Sequence, residues 1–99
     1  MNFHVEMLAF GRPEEIRIVE VPNDKITEDT NRNLEMVFEF GQNEFQPQNH
    51  PSVSVGDVIQ YNDEKYLVKN IGFKKLTETE YQNYKNINQR DRFFESLKS

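Results

Sequence analysis

The chain has 99 residues, of which 35% are hydrophobic, and 17 acidic and 12 basic residues give it a formal net charge of −5. This length predicts a single domain spanning 1–99 with a modest core, and eight Phe and four Tyr supply large buried area. Without cysteine, neither a disulfide nor a thiolate metal site is expected, which fits a reducing cytoplasm. No apolar run approaches the roughly 20 residues of a membrane span. We therefore expect a cytoplasmic protein with no membrane partner.

The charges are unevenly distributed along the chain. Residues 1–50 carry ten acidic and four basic side chains, whereas residues 51–99 carry seven and eight. The acidic half argues against a broad phosphate-binding surface, because affinity for nucleic acid depends largely on neutralising phosphates. The acidic first half is still compatible with small local basic patches, and it is also compatible with an acidic surface that mimics DNA. The DNA-mimic hypothesis requires six carboxylates to share one face: Glu6, Glu14, Glu15, Glu20, Glu35 and Glu39.

The first part of the chain predicts two strands. Phe3, Val5 and Met7 alternate with other residues, and a second alternating run covers 16–21. The Gly-Arg-Pro sequence between these runs predicts an antiparallel pair of strands joined by a loop at 11–15. Arg12 and Arg17 are interpreted as solvated charges on a strand face, in preference to anion ligands.

Residues 34–40 fit two kinds of element. Leu34, Met36 and Phe38 match strand alternation, while Leu34, Val37 and Phe38 match one face of a helix. Asp29 or Thr30 offers an N-cap, and Gly41 stands where a C′ glycine would end a helix. A helix over 29–40 is therefore favoured over a strand.

An amide-rich segment follows, with an aromatic residue at its centre. Five side-chain amides surround Phe45, and His50 closes the segment. Amides can read base edges and an aromatic ring can stack on a base, but amides can equally satisfy carbonyls at a helix end. The structural interpretation is favoured. A nucleic-acid site would combine this loop with nearby lysines, and the candidate binding residues are then Gln42, Asn43, Gln46, His50, Lys69, Lys74 and Lys75.

The strongest structural signal is a β-hairpin within 52–73. Apolar runs flank a short Asn/Asp turn, and Gly56 stands where positive φ or a bulge is expected. A turn centred on residues 63–64 pairs Ile59 with Val68, whereas one centred on residues 62–63 pairs Ile59 with Tyr66. In both registers apolar side chains lie opposite one another on the two strands. Around Gly72 we predict a kink or bulge, after which the strand continues towards residue 76.

The C-terminal part predicts helices. Thr77 and Glu80 form a capping box, with Leu76 and Tyr81 as its hydrophobic staple. A last amphipathic segment over 90–97 carries three apolar residues that are expected to dock on the core, or otherwise to form a partner or dimer surface: Phe93, Phe94 and Leu97.

Sequence motifs for catalysis are absent. The chain contains no nucleophile elbow, no paired histidine motif and no phosphate-binding glycine loop. His4 and His50 are far apart in sequence, which is a poor basis for a metal site. An enzyme would need a pocket that brings one of them beside a carboxylate or hydroxyl. We therefore predict a non-enzyme with no cofactor and no metal.

The segment GQNEFQPQNHPSVSVGDVI, followed by YLVKNIGF, resembles a family of short uncharacterised proteins from bacterial phages, plasmids and conjugative elements. These proteins are similar to YodL-like domains, and FGRPEEIRIVEVPND resembles their opening, so the likeness covers about 3–76. The resemblance implies a fold and a mobile-element context, but no activity, cofactor or catalytic residue. The Gly-Asp-Val-Ile strand entry also occurs in PUA-like and ASCH-like barrels, which bind RNA or nucleotides.

Together these patterns predict an α+β domain. We expect a small, mainly antiparallel sheet of four or five strands, curled into a partial barrel in one alternative, with one inserted helix and one or two C-terminal helices. For function we predict a non-enzymatic accessory protein that acts by protein binding. The alternatives are a nucleic-acid-binding module that uses the 42–50 loop, and an acidic DNA mimic. The oligomeric state is open, with a dimer through the C-terminal helix as one alternative.

Overall fold

The computed structural model describes residues 1–9, 16–42 and 53–86. These residues form an α+β fold, with one helix in the middle of the chain and one near its C-terminus. A 3₁₀ turn at Asn23–Lys25 follows the second strand. The elements in chain order are β1 (Asn2–Glu6), β2 (Ile16–Glu20), α1 (Thr30–Phe40), β3 (Val58–Tyr61), β4 (Glu64–Val68), β5 (Phe73–Leu76) and α2 (Glu78–Asn86).

The five strands form one antiparallel sheet in the order β2-β1-β3-β4-β5. Every neighbouring pair along the chain is adjacent in the sheet except β2 and β3, which are separated by α1 and flank β1 instead. Within the described part of the chain the sheet is open, with β2 and β5 at its two edges. The predicted antiparallel sheet and its inserted helix are therefore confirmed.

One face of the sheet packs under α1 and holds the larger core. Side chains on a strand alternate between faces, so Phe3 and Val5 of β1 point to the same side as Val19 of β2. The rings of Phe3 and Tyr61 stack with centroids 5.7 Å apart. This cluster contains Phe3, Val5, Met7, Val19, Val21, Leu34, Val37, Val53, Ile59 and Val68.

The ambiguous segment at residues 34–40 is helical, as predicted. Asp29 is its N-cap, with a side-chain oxygen that accepts from the backbone N–H of Arg32 at 3.3 Å. Asn33 is fully buried, and its amide donates to the carbonyl of Thr27 at 2.8 Å and to the hydroxyl of Tyr61 at 2.9 Å. The helix is thus tied to the segment that precedes it and to the sheet beneath it.

Gly41 ends α1, but its conformation differs from that of a typical C′ glycine. Its φ is −79°, in the right-handed region that any residue adopts. A Cβ at this position would overlap the side chain of Val53 and lie 2.9 Å from the carbonyl oxygen of Val37. Glycine is needed here because the chain that leads into β3 passes close to the helix end.

The second helix covers the opposite face of the sheet over β3, β4 and β5. Its predicted capping box is present, since the N–H of Thr77 donates to Glu80 at 3.0 Å and the N–H of Glu80 donates to the Thr77 hydroxyl at 3.1 Å. The helix buries two tyrosines against the sheet. This smaller cluster contains Leu8, Val58, Leu67, Leu76, Tyr81 and Tyr84.

The hairpin between β3 and β4 adopts one of the two predicted registers. Ile59 pairs with Tyr66, and the turn residues Asn62 and Asp63 have φ of 50° and 65°. Positive φ at both central residues is the type I′ geometry, whose twist matches that of the strands. Gly56, with φ of 101°, has the positive φ that was predicted for it.

The prediction of a kinked strand around Gly72 is wrong. The chain instead reverses between β4 and β5, with Gly72 at φ of 74° and the N–H of Lys69 donating to its carbonyl at 3.0 Å. Two consecutive hairpins therefore replace one long strand. Ile71 lies at the tip of this turn and is 89% exposed.

Candidate binding surface

Only the first residue of the predicted amide loop lies within the described residues. The side-chain amide of Gln42 donates to the carbonyl of Phe38 at 2.8 Å and to the carbonyl of Val53 at 3.0 Å. It therefore satisfies a carbonyl of the last turn of α1 and fastens the following chain to it, as the structural interpretation predicts. The other predicted members lie outside the described residues: Asn43, Gln46 and His50.

The three candidate lysines do not form one patch. Lys74 pairs with Leu67 across the β4–β5 ladder and Lys75 with Tyr66, so the two side chains leave opposite faces of the sheet. Lys69 belongs to the turn between these strands. A phosphate-binding surface would need these charges on one side.

Two of these lysines are also paired with carboxylates. The Nζ of Lys74 lies 3.1 Å from Glu80, and that of Lys75 lies 2.6 Å from Glu64. Hydrogen bonding by the Thr77 backbone and by Lys74 lowers the pKa of Glu80, and hydrogen bonding by Lys75 and Tyr66 lowers the pKa of Glu64. These carboxylates stay ionised at neutral pH and offset the lysine charges locally.

The carboxylates proposed for DNA mimicry do not share one surface. Glu35 and Glu39 are exposed on α1, which covers one face of the sheet. Glu6 and Glu20 belong to strands and point to the opposite face. Glu14 and Glu15 lie outside the described residues. The condition set for this hypothesis is not met by the four that are described.

Glu6 is a buried group that the sequence interpretation assigned to an acidic surface. It is 6% exposed, and its Oε1 accepts from the Tyr81 hydroxyl and from the Gln60 amide. Its Oε2 is buried without a hydrogen-bond partner. The contact joins β1 to α2 across the smaller core. A signal was present in the sequence, because the unbroken apolar run 7–10 that follows Glu6 indicates a strand end covered on both faces.

Burial also affects the hydroxyl that contacts Glu6. Desolvation, and then the hydrogen bond to Glu6, raise the pKa of Tyr81. The ammonium groups of Lys65 and Lys85 lie 4.7 Å and 5.2 Å from the centre of the Tyr81 ring. A second tyrosine of the helix, Tyr84, donates to the carbonyl of Gly56 at 2.5 Å. These polar contacts fix α2 in position and rotation on the sheet.

The interpretation of Arg17 as a solvated strand-face charge is wrong. Arg17 pairs with Val5, points to the face covered by α1 and is 4% exposed. Desolvation lowers the pKa of its guanidinium. The reason lies in β2 itself, where Arg17 shares its face with Val19, so the strand cannot bury the valine without also turning the arginine inwards.

That same alternation leaves two isoleucines outside. Ile16 and Ile18 are 51% and 55% exposed on the face of β2 that points away from α1. They stand two residues apart on the outermost strand, so their side chains are neighbours on one face. In the sequence they belong only to an alternating run, and no local signal marks them as an exposed pair.

The backbone of β2 also has an open side. Met1 and Val21 exchange both of their hydrogen bonds, at 2.7 Å and 2.9 Å. In an antiparallel ladder such pairs recur every second residue, so Val19 and Arg17 also direct their N–H and C=O groups towards β1. The backbone groups of Ile16 and Ile18 therefore point to the open edge, where no strand of the described residues lies.

The two sheet edges differ in how they resist strand addition. Edge strands are commonly protected by short length, lysine or proline. Strand β5 has only four residues and carries the exposed lysines Lys74 and Lys75. Strand β2 has five residues without lysine or proline, and its one inward charge, Arg17, is already buried before any strand is added. We call this surface, formed by the edge of β2 with Ile16 and Ile18, the β2 edge.

The concave regions of the described residues are weaker candidates for a binding site than the β2 edge. A groove of about 270 Å³ lies between β4, β5 and α2, and it is lined in part by Lys69, Lys74 and Tyr84. Small-molecule pockets usually have about 300–1,000 Å³, so this groove is small. A second concave region of about 350 Å³ is lined in part by His4, Tyr61 and Glu64. His4 is exposed on β1, and the described residues contain no group of three or more side chains suited to hold a metal ion.

Comparison of the chain with models of known protein families, with curated proteins and with solved structures returned no match. In the described ranges, neither helix has the length and apolar character needed to cross a membrane.

Proposed function

We propose that this protein is a non-enzymatic accessory protein of a bacterial mobile element, and that it acts in the cytoplasm by binding another protein chain. The mobile-element context is supported by the resemblance of the GQN…SVSVGDVI segment. The binding role is supported by one observation, the β2 edge, which combines outward backbone groups with an exposed isoleucine pair. Binding occurs by addition of an extended partner strand to this edge.

The physical basis of such binding is the pairing of backbone groups that water otherwise satisfies. Main-chain hydrogen bonds supply affinity for an extended peptide, and side chains on alternate positions supply specificity. The isoleucines Ile16 and Ile18 favour a partner strand that presents apolar side chains on the same face of the sheet. Strand addition thus removes water from apolar surface that the isolated chain exposes.

The nucleic-acid alternative has less support. The amide of Gln42 is used within the protein, and the charges of Lys74 and Lys75 are paired and point to different faces. A nucleic-acid site would instead lose affinity steeply with added salt and would depend on these lysines.

The proposal is tested with the tagged full chain as bait in a bacterial host lysate that also contains the untagged chain, with and without nuclease. We expect a protein partner that survives nuclease, that Ile18→Lys loses and that the control Ile71→Lys retains. Ile71 is an exposed isoleucine on a turn away from the β2 edge. With the purified partner, the amides of Ile16 and Ile18 should gain protection from hydrogen exchange. Recovery that requires nucleic acid, or that ignores Ile18→Lys, contradicts the proposal.

A further inference from the structure

The β2 edge is self-complementary, and we infer that it binds a second copy of this chain, so that two sheets join into one of ten strands. This inference rests on the proposed role of the β2 edge and names its partner. The two β2 strands run antiparallel about a two-fold axis that passes beside Ile18.

The direction of the backbone groups limits the possible registers, and the side chains then select among them. Ile16 and Ile18 direct their N–H and C=O groups outwards, so strand addition must pair outward residues with outward residues. Centring the axis on Ile18 pairs it with Ile18 of the second copy and places Ile16 opposite Glu20 of the second copy. In this register the central Ile18 pair exchanges two backbone hydrogen bonds.

The positions of the side chains also favour this register. The isoleucines of both copies lie on one face of the joined sheet and form a continuous apolar cluster from surface that each copy exposes alone. Like charges are also kept apart in this register. Arg17 lies opposite Val19 of the second copy, and the two Glu20 carboxylates stand about 13 Å apart along the strands. A register centred on Glu20 would instead bring like charges together.

The size of the contact sets the expected affinity. A ladder of five residues a side buries less than the roughly 1,200 Å² that specific stable interfaces bury, so the dimer is expected to be weak and concentration-dependent. Measurements should therefore extend from about 1 µM to about 500 µM of the full chain.

Cysteine cross-linking tests the register directly, because the chain contains no cysteine. In this register the Cα atoms of Ile18 and Ile18 of the second copy lie about 5.5 Å apart, within the range of a disulfide. Oxidised Ile18→Cys should form a covalent dimer. Ile16→Cys is the matched control, since its exposure is similar but its own copy lies about 13 Å away. Equal cross-linking of both variants, or of neither, overturns the inference.

Light scattering supplies the second measurement. The wild type should pass from monomer to dimer over this concentration range, Ile18→Lys should weaken dimerisation at least about tenfold, and Ile71→Lys should leave it unchanged. A chain that stays monomeric at the highest concentration overturns the inference. So does a dimer that Ile18→Lys leaves intact and Phe93→Ala dissociates, because contact then occurs through the C-terminal segment.

Failure of the dimer and failure of the proposed function give different results. If the chain is monomeric but the amides of Ile16 and Ile18 become protected when a host protein is added, only the identity of the partner is wrong. If these amides are already protected in a dilute monomer, another segment of the same chain covers the edge, and both proposals fail.

Discussion

Gly41 ends α1 and Gly72 lies in the turn between β4 and β5, and the protein needs the two glycines for different physical reasons. Gly72 has a φ of 74°, and an added Cβ would meet nothing within 4 Å, so only its backbone conformation constrains it. Gly41 has an ordinary φ, and the nearby side chain of Val53 constrains it instead. Substitution therefore tests backbone strain at Gly72 and packing at Gly41.

We predict that Gly41→Ala destabilises the protein by about 1–3 kcal/mol through overpacking. Trimming the neighbour in Gly41→Ala/Val53→Ala should show favourable coupling in a double-mutant cycle measured by urea unfolding. At Gly72, Ala should cost about 1 kcal/mol and Asn less, because Asn tolerates positive φ. Additive effects of the Gly41 and Val53 changes would show that close approach is not the constraint.

The Glu6–Tyr81 contact is the second residue-scale feature with a measurable consequence. Tyr81→Phe removes the hydroxyl that donates to a buried carboxylate, which then keeps only the Gln60 amide at 3.3 Å. We predict a loss of about 1–3 kcal/mol in the free energy of unfolding. In Glu6→Leu/Tyr81→Phe both polar groups are gone, so part of the loss should be recovered. No recovery would mean that the contact adds little beyond packing.

The same pair predicts a pH dependence of stability. Burial and Glu6 raise the pKa of Tyr81 in the folded protein, so the folded state holds this proton more tightly than the unfolded state. The stabilisation is complete below the unfolded pKa of about 10 and is lost as pH rises above it. Between about pH 9 and pH 11 the wild type should therefore lose more unfolding free energy than Tyr81→Phe. Parallel profiles for the two proteins would contradict this.

At the scale of elements, the start of α2 depends on its capping box. Thr77→Ala removes the oxygen that accepts from the N–H of Glu80 at 3.1 Å, and we predict a cost of about 0.5–2 kcal/mol. Thr79→Ala is the matched control, because Thr79 is exposed within the first turn and alanine favours helix there. Thermal unfolding followed by circular dichroism compares the two. Equal effects would show that the cap is unimportant.

The capping box, the helix at residues 30–40 and the β3–β4 hairpin could all be predicted from local sequence. Each depends on residues within a few positions of one another, such as Thr77 with Glu80 or Asn62 with Asp63. The β4–β5 reversal was missed although it is also local. Gly72 was interpreted as a bulge, because the apolar residues Ile71 and Phe73 on either side of it suggest a continuing strand.

At the scale of the fold that residues 1–9, 16–42 and 53–86 form, two helices cover opposite faces of one sheet. Both cores share strands β3 and β4, since Ile59 and Val68 belong to one cluster and Val58 and Leu67 to the other. Loss of either core therefore removes support from strands that the other core needs. This arrangement favours a single cooperative unfolding transition.

We predict that Leu34→Ala in the larger core and Leu8→Ala in the smaller core each cost about 2–5 kcal/mol. Both leucines are fully buried. Circular dichroism and tyrosine fluorescence should report one coincident transition in each variant, because tyrosines lie in both cores. Separate melting of α2 in Leu8→Ala would show that the two faces unfold independently.

The sequence by itself determined most of the elements, though not the separation of β4 from β5, because caps, turns and alternation act over short distances in the chain. It did not determine which side of β2 is buried. Ile16 and Ile18 occupy one parity of that strand, and Val19 and Val21 occupy the other, so either set could have entered the core.

Only the tertiary structure decided between these two sets. The pairing of Phe3 with Val19, and of Val5 with Arg17, aligns the valine face of β2 with the face of β1 that α1 covers. Arg17 lies on the same face of β2 as Val19 and therefore also points into the core, and the two isoleucines remain exposed on an edge strand. Glu6 is buried for the same kind of reason, because α2 returns from more than 70 residues further along the chain to cover it. Long-range contacts of this kind leave little trace in local sequence.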